Sequence, residues 1–275
     1  MNISANRSRA WWLLLPAVTF LVICFLYPVG TFLLESFKVG QGVGLGNYST
    51  FLSDEINLEV YWRTVRIALL VTLLSAAVSY PAALAIMRLG GQYRGLLTGL
   101  IILPLMISPV ARSFAWLVVL GREGLLNKTL VGSGVLSESI PILYTESAVF
   151  IGLLQLMLPL MLLSLTSALE NLPKDVQAAA KSLGANEWQT FWRVILPLTR
   201  DGLAIGGTLV FTGCITAYVT PALLGGPRVT MLATLLYQKA SVTVDEAATT
   251  VISVVMLLTT LLVNAILRSR SSRTT

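Results

Sequence analysis

The sequence predicts an all-α, polytopic membrane protein with six transmembrane helices, and three observations predict it. Only 12% of the 275 residues are charged, against about 25% in a soluble domain. The mean hydropathy is +0.80. Six runs each offer the roughly 20 mostly apolar residues that a helix needs to span a bilayer, and none alternates with the two-residue period of a membrane barrel. These runs take up most of the chain, so 1–275 is read as a single transmembrane domain without a separate soluble one.

The first run, 11–34, follows the basic Arg7 and Arg9 and so imitates a secretory leader. It is longer than a leader's apolar stretch and ends without a small-residue cleavage site, which makes it a retained span. The segment 39–63 is glycine-rich and then acidic, and leads to the second run, 64–87. The third, 96–120, carries Pro104, Pro109 and Arg112. Loop 121–146 holds Gly124, Gly132, Gly134 and Pro141 and precedes the fourth run, 147–169. A polar stretch, 172–200, separates it from the fifth, 202–224. There Gly202 and Gly206 make a small-xxx-small pair, with Gly213 beyond, that lets helices approach closely, either within the chain or at a dimer seam. Loop 225–246 opens on Gly225-Gly226-Pro227, and 231–237 within it reads as a short surface helix. The sixth run is 247–267. The three longer loops either face a partner on the outer side or merely connect spans. Cys24 and Cys214 both lie within predicted spans and say nothing of disulfides.

Positive charge sets the orientation. With the N-terminus inside, the inner segments hold Arg7, Arg9, Arg88, Arg94, Lys174, Lys181, Arg193, Arg200, Arg268, Arg270 and Arg273, eleven of the 19 basic residues. They hold only four of the 13 acidic ones, Glu170, Asp175, Glu187 and Asp201. Both termini and the 172–200 stretch then come out cytoplasmic. The net charge of +6 reflects this topology and does not suggest nucleic-acid binding.

The 172–200 stretch has its own helical grammar. Pro173 suits the first turn of a helix and Asp175 its positive end. Ala178, Ala179 and Ala180 favour helix, and Gly184 is a natural stop in a left-handed conformation. Asn186 caps a second helix, with Gln189 three residues on at capping-box spacing. Pro197 marks the approach to the next span. Two short helices joined by a tight glycine turn are expected.

This order and spacing resemble the cytoplasmic loop of bacterial ABC importer permeases, the MetI-like, binding-protein-dependent inner-membrane components. That family's pattern reads E-A-A, three residues, G, nine residues, I-x-L-P. Anchored on Gly184, the alanines fall on Ala179 and Ala180, and the end reads Val194-Ile195-Leu196-Pro197. Val194 stands at the isoleucine position. Ala178 stands at the glutamate position and removes a carboxylate, for which Asp175, one helical turn earlier, is placed to compensate. Leu103-Pro104, Ser108-Pro109, Arg112 and Gly124-Leu125-Leu126-Asn127 resemble permeases of the spermidine/putrescine type. So does the segment from Thr220-Pro221 to Gly226-Pro227. Similar chains move iron(III), thiamine or aminoethylphosphonate. The resemblance covers most of 64–268.

The resemblance implies half of a transmembrane pair, homo- or heterodimeric, in the lipid of the bacterial inner membrane. Two cytoplasmic ATPase subunits, carrying ATP and magnesium, bind the loop at Asp175, Ala178, Ala179, Ala180, Gly184, Ala185 and Pro197. A periplasmic binding protein delivers a small solute, of which a polyamine or related organic cation is the expected class. ATP-driven closure then pushes on the loop and switches the spans between inward-open and outward-open states. The chain itself reads as no enzyme. It has no G-x-x-x-x-G-K-[ST] phosphate loop, no histidine and no metal-ligand spacing, so no cofactor is expected in it.

Arg112 is the unusual residue inside a span, where a charge costs about 2.5–3.5 kcal/mol on insertion scales. Three roles fit: bonding backbone carbonyls freed by the nearby prolines, lining the substrate path, or snorkelling to the outer interface. Gln155 and Asn264 read as interhelical hydrogen bonds, with Gln155 also a candidate for the path. Pro81, Pro104, Pro109, Pro159 and Pro221 bend spans, as suits helices that rock. The alternative of an ATP-independent secondary transporter calls for acidic groups near mid-membrane, and no acidic residue lies well inside a run. A membrane enzyme calls for a convergent set of histidines, carboxylates or metal ligands, and a channel for a charged ring. Neither pattern is present.

Overall fold

In lipid every backbone polar group must be satisfied within the spanning segment, so long apolar runs fold as helices. Helices accordingly dominate the computed structural model, which describes residues 14–40, 42–173 and 175–272. Arg7, Arg9, Lys174, Arg273 and residues 11–13 of the first run lie outside the described residues. Among the described residues, four helices are long and apolar enough to cross a membrane: α1 (Leu14–Glu35), α3 (Glu55–Met87), α7 (Glu146–Glu170) and α13 (Glu246–Ser272). Two bent pairs bring the total to six if each pair is one span. The first is α4 (Gly91–Met106) with Pro109–Gly132, whose first part is α5 (Pro109–Leu120), and the second α9 (Glu187–Leu198) with α10 (Arg200–Thr216). Shorter helices are α2 (Gly46–Ser53), α6 (Leu125–Gly132), α8 (Asp175–Ser182), α11 (Val219–Leu224) and α12 (Leu232–Tyr237).

The third apolar run is therefore not one helix. The chain bends by 92° at Ile107 and Ser108, where Ile107 is extended and Ser108, at ψ 133, has also left the helical region. Pro109 has no N–H to continue the ladder and pushes the residue before it out of the helical region. The fifth run breaks too. Helix α10 stops at Thr216, Ala217 is extended, and α11 follows as a separate short helix around Pro221. The second run begins earlier than expected, at Glu55, because Asp54 Oδ1 accepts from the Ile56 N–H at 2.9 Å and starts the helix there.

Two compact units share the chain. One takes the residues up to Leu58 and Leu236–Val255, the other Glu59–Leu235 and the residues from Met256. In the first, α1 carries a π turn at Val22–Leu26 just ahead of Pro28, closed by the Tyr27 N–H on the Val22 carbonyl. The glycine-rich segment after it is not simply a loop. Strands β1 (Lys38–Val39) and β2 (Gly42–Val43) pair antiparallel, and Asn47 of α2 donates to the Lys38 carbonyl at 2.8 Å.

In the second unit α7 is the central helix. Arg63 of α3 bonds Glu146 at one end of α7, and Ser79 reaches the Leu158 carbonyl further along, so α3 and α7 run in the same direction. Helix α10 lies along α7 in the most extensive helix contact. Its glycines make that approach possible. A β-carbon on Gly202 would lie 2.3 Å from Ala168 Cβ, and one on Gly206 2.7 Å from Met161 Sδ. The small-xxx-small pair thus serves packing within the chain. Leu153, Met161 and Leu165 of α7 and Phe211 and Ile215 of α10 are fully buried in this core. Expected at the surface, 231–237 instead forms α12 with Met231 and Leu232 fully buried. Thr64 Oγ1 of α3 accepts from the Leu232 N–H at 2.9 Å and holds that segment down.

Candidate functional site

The polar loop after α7 folds into the two expected short helices. Pro173 precedes the first turn rather than joining it, and its carbonyl accepts from the Val176 N–H at 3.3 Å. Asp175 opens α8. Ala178 and Ala179 are exposed, while Ala180 is buried. Gly184 has φ +81, the left-handed region that glycine enters without penalty. Around it the Ala185 N–H bonds the Ala180 carbonyl at 3.1 Å and the Gly184 N–H bonds the Lys181 carbonyl at 3.0 Å. That pair of bonds is a Schellman turn. Next, Asn186 Oδ1 accepts from the Gln189 N–H at 2.8 Å, and Gln189 Oε1 accepts from the Asn186 N–H at 3.1 Å. The capping box is complete. Pro197 has no N–H for the ladder, and the helix widens into a π turn at Phe191–Ile195 before it. The chain then bends by 69° into α10.

Three contacts tie this loop to the spans, and none was foreseen from sequence. Glu187 accepts from Arg88, just beyond α3, at 3.1 Å and from Lys181 at 3.4 Å. These hydrogen bonds, Arg88's first, hold the Glu187 carboxyl below the usual carboxylate range. Phe191 stacks edge-on against Tyr80 of α3, ring centroids 5.2 Å apart. The Tyr80 hydroxyl in turn shares a hydrogen bond with Thr199 at the bend before α10. The spacing of Trp188 and Trp192, one helical turn apart, was the available signal for an aromatic face here. Their ring centroids lie 5.6 Å apart and both remain exposed. Leu183, 89% exposed, adds an apolar side chain to the same loop. Among the described residues, Glu187 is the carboxylate of this loop that forms ion pairs within the chain, and Asp175 forms none.

Arg112 lies on α5, past the 92° break, and is 7% exposed. Its Nη1 donates to the Pro104 carbonyl of α4 at 2.9 Å, reaching back across the break. In an unbroken helix that carbonyl would receive an N–H from Ser108, which the extended backbone has turned away. A cation also suits the negative end of α4. The second guanidinium nitrogen, Nη2, is buried without a partner among the described residues. Gln155 of α7 accepts from Trp116 Nε1 of α5 at 3.3 Å, an interhelical bond as expected. Asn264 departs from expectation, since its buried Oδ1 has no partner among the described residues. Arg112 and Gln155 thus both belong to the α4–α5–α7 region and are not part of the 172–200 loop.

Known proteins match this architecture. The family model described as "Binding-protein-dependent transport system inner membrane component" matches residues 75–274. The spermidine/putrescine transport system permease protein PotB of Haemophilus influenzae is 36% identical over 222 residues, 81% of this chain and 76% of that protein. PotB of Escherichia coli is 36% identical over 184 residues, 67% of this chain and 66% of that protein. Among solved structures, a bacterial ABC transporter involved in the import of the acidic polysaccharide alginate superposes with a TM-score of 0.81. That match covers 98% of both chains. At 19% identity the likeness speaks for the fold alone. With the loop geometry and the family match together, the chain belongs to the binding-protein-dependent transport system inner membrane components.

Proposed function

We propose that the chain is the permease subunit of an ATP-driven importer and forms half of the route for a small organic cation of the polyamine class. The observation that carries the importer reading is the 172–200 loop, with its left-handed Gly184, Schellman turn and complete capping box at the family's spacing. In this reading Asp175, the three alanines, Gly184, Ala185 and Pro197 form the surface on which a cytoplasmic ATPase docks. The exposed Leu183, Trp188 and Trp192 extend it, since exposed apolar side chains in a cluster suit a partner's groove. The positive charge of the inner segments supports a cytoplasmic placement of both termini and this loop. ATP and magnesium belong to the ATPase subunits, a second permease subunit completes the pair, and a periplasmic binding protein supplies the solute.

The cargo class rests on the 36% identity with two spermidine/putrescine permeases. Arg112 does not oppose it. Its guanidinium is turned onto the Pro104 carbonyl and buried, which supports the structural role among those weighed. The test is purification of the complex and reconstitution with the binding protein in liposomes. Vanadate-sensitive ATP hydrolysis with accumulation of labelled spermidine or putrescine is expected. Uptake by this chain alone, with no ATPase present, overturns the importer reading. ATP-driven transport that ignores both polyamines overturns the cargo.

A further inference from the structure

At the end of α7 away from the 172–200 loop, the chain builds a cavity of about 600 Å³. Arg122 and Arg228 stand on its walls with Tyr144, Pro141 and Pro227. Among the described residues no acidic side chain lines it, and neither arginine forms an ion pair. The neighbouring cations at this end are used differently. Arg63 bonds Glu59 and Glu146, and Arg66 bonds Glu146, so that cluster neutralises itself.

The walls that carry the two free cations are stiff. Asn127, fully buried, donates to the carbonyls of Gly121 and Ile140 and accepts from the Ile140 N–H, each at 3.0 Å. This fixes the residues just before Arg122 and just before Pro141. Tyr144 is held at φ +61, a strained conformation for a tyrosine. Its N–H bonds the Leu224 carbonyl at 2.9 Å. Its ring packs so close to Gly226 that a β-carbon there would lie 2.5 Å from Tyr144 Cδ1. Gly226 itself has φ +54, and Pro227 follows. The Val229 N–H bonds the Gly225 carbonyl at 3.2 Å, fixing the turn that carries Arg228. Two arginines and a half-exposed tyrosine on preorganised backbone have the composition of a protein-recognition hot spot.

We propose that this cavity receives acidic side chains from the surface of the solute-binding protein. The inference rests on the importer reading and deepens it by assigning a docking residue pair and its partner's chemistry. Each guanidinium presents a planar fork that matches a carboxylate in two bonds. The engagement is electrostatic and therefore weakens with salt.

The test uses the assembled transporter in phosphatidylcholine nanodiscs with purified binding protein added. For the double variant Arg122→Glu, Arg228→Glu, the ATPase rate without binding protein should match wild type. The binding-protein concentration giving half-maximal stimulation should rise about tenfold or more, since like charges facing each other are strongly disfavoured. Raising salt should weaken the wild-type response and not the variant's. If the charge reversal impairs assembly, Arg122→Gln with Arg228→Gln should still raise that concentration, by about threefold. A wild-type response that either assembled variant leaves unchanged overturns the proposal while the importer reading stands. In parallel nanodiscs that include phosphatidylglycerol, a rise in basal ATPase rate seen in wild type and lost in the variant, with the binding-protein response unchanged, assigns the cavity to an anionic headgroup and also overturns the proposal. A wild-type complex deaf to its binding protein overturns both readings.

Discussion

Replacing Gly184 tests the turn that joins the two loop helices. Gly184 sits at φ +81, where an L side chain is penalised by about 1–2 kcal/mol. A β-carbon built there meets nothing within 4 Å, so no clash within the chain adds to that penalty. Both Schellman bonds depend on this φ, and opening the turn would release α9 from its register with α8. The α7–α10 packing lies elsewhere, so membrane insertion should not change. A loss of about 1–2 kcal/mol alters the population of the ordered loop by a factor of roughly 5–30. Asparagine visits the left-handed region with less strain than other non-glycine residues, alanine does not, and valine adds a branched β-carbon. The ATPase retained on purification, and uptake at matched membrane expression, should therefore fall in the order glycine, asparagine, alanine, valine. Gly184→Val with wild-type ATPase retention and uptake refutes the coupling role. Gly184→Asn failing as badly as Gly184→Val refutes the conformational account and points to a clash with the partner.

Three further outcomes follow from the geometry. Gly206→Leu should cost about 1–3 kcal/mol by overpacking against Met161 and Ser164, lowering the detergent melting temperature. Gly99→Leu, where a β-carbon meets nothing within 4 Å, should not, and equal effects would refute the seam. Arg112→Met should leave the Pro104 carbonyl without its donor, at about 1–3 kcal/mol, with Arg112→Lys intermediate. A stable, fully assembled Arg112→Lys complex with impaired uptake would instead place the residue in the substrate path. Glu187 has its folded-state acidity increased by Arg88 and Lys181, so its contribution is present above the ordinary glutamate pKa and is lost as pH falls through the lowered folded value. Hydrogen exchange at 186–192, corrected for intrinsic rate, should be level from pH 8 to about 5 and rise below about 4. In Glu187→Gln that acid-side rise should vanish.

Local chemistry could be read from the chain, and distant pairing could not. The capping box of Asn186 and Gln189 and the left-handed Gly184 are decided by residues within one turn of each other, and both appear as expected. The six apolar runs follow from bilayer thickness. Their continuity does not, because a proline bends or breaks a helix according to what satisfies the groups it frees. At Pro109 the outcome depends on Arg112 reaching back eight residues to Pro104. Helix α12 is buried because Thr64, 168 residues away, accepts its first N–H. The loop's anchors are equally remote: Arg88 lies 99 residues from Glu187, and Tyr80 119 from Thr199. The cavity near Tyr144 needed the 121–146 and 225–246 loops to meet, which glycines and prolines alone did not reveal.

The alanine at the family's glutamate position has a consequence for how force would travel through the loop. Lys181 lies three residues after Ala178 on α8, within reach of a glutamate there. With Ala178 in place, Lys181 turns to Glu187 across the Gly184 turn, and Glu187 joins it to Arg88. The ionic link to the spans thus starts on the second loop helix and not the first. Such exposed pairs contribute only about 0–1 kcal/mol each, so they orient the loop more than they hold it. The firmer connection is the Tyr80 ring against Phe191, with its hydroxyl on Thr199 where the chain bends into α10. Helix α8 packs on α9. A push delivered to α8 therefore reaches α3 and α10 through the glycine turn and then through Phe191 and Tyr80. A turn that yields would dissipate the push before it arrived, so in the proposed importer the conformation of Gly184, rather than any side chain it lacks, would set the coupling.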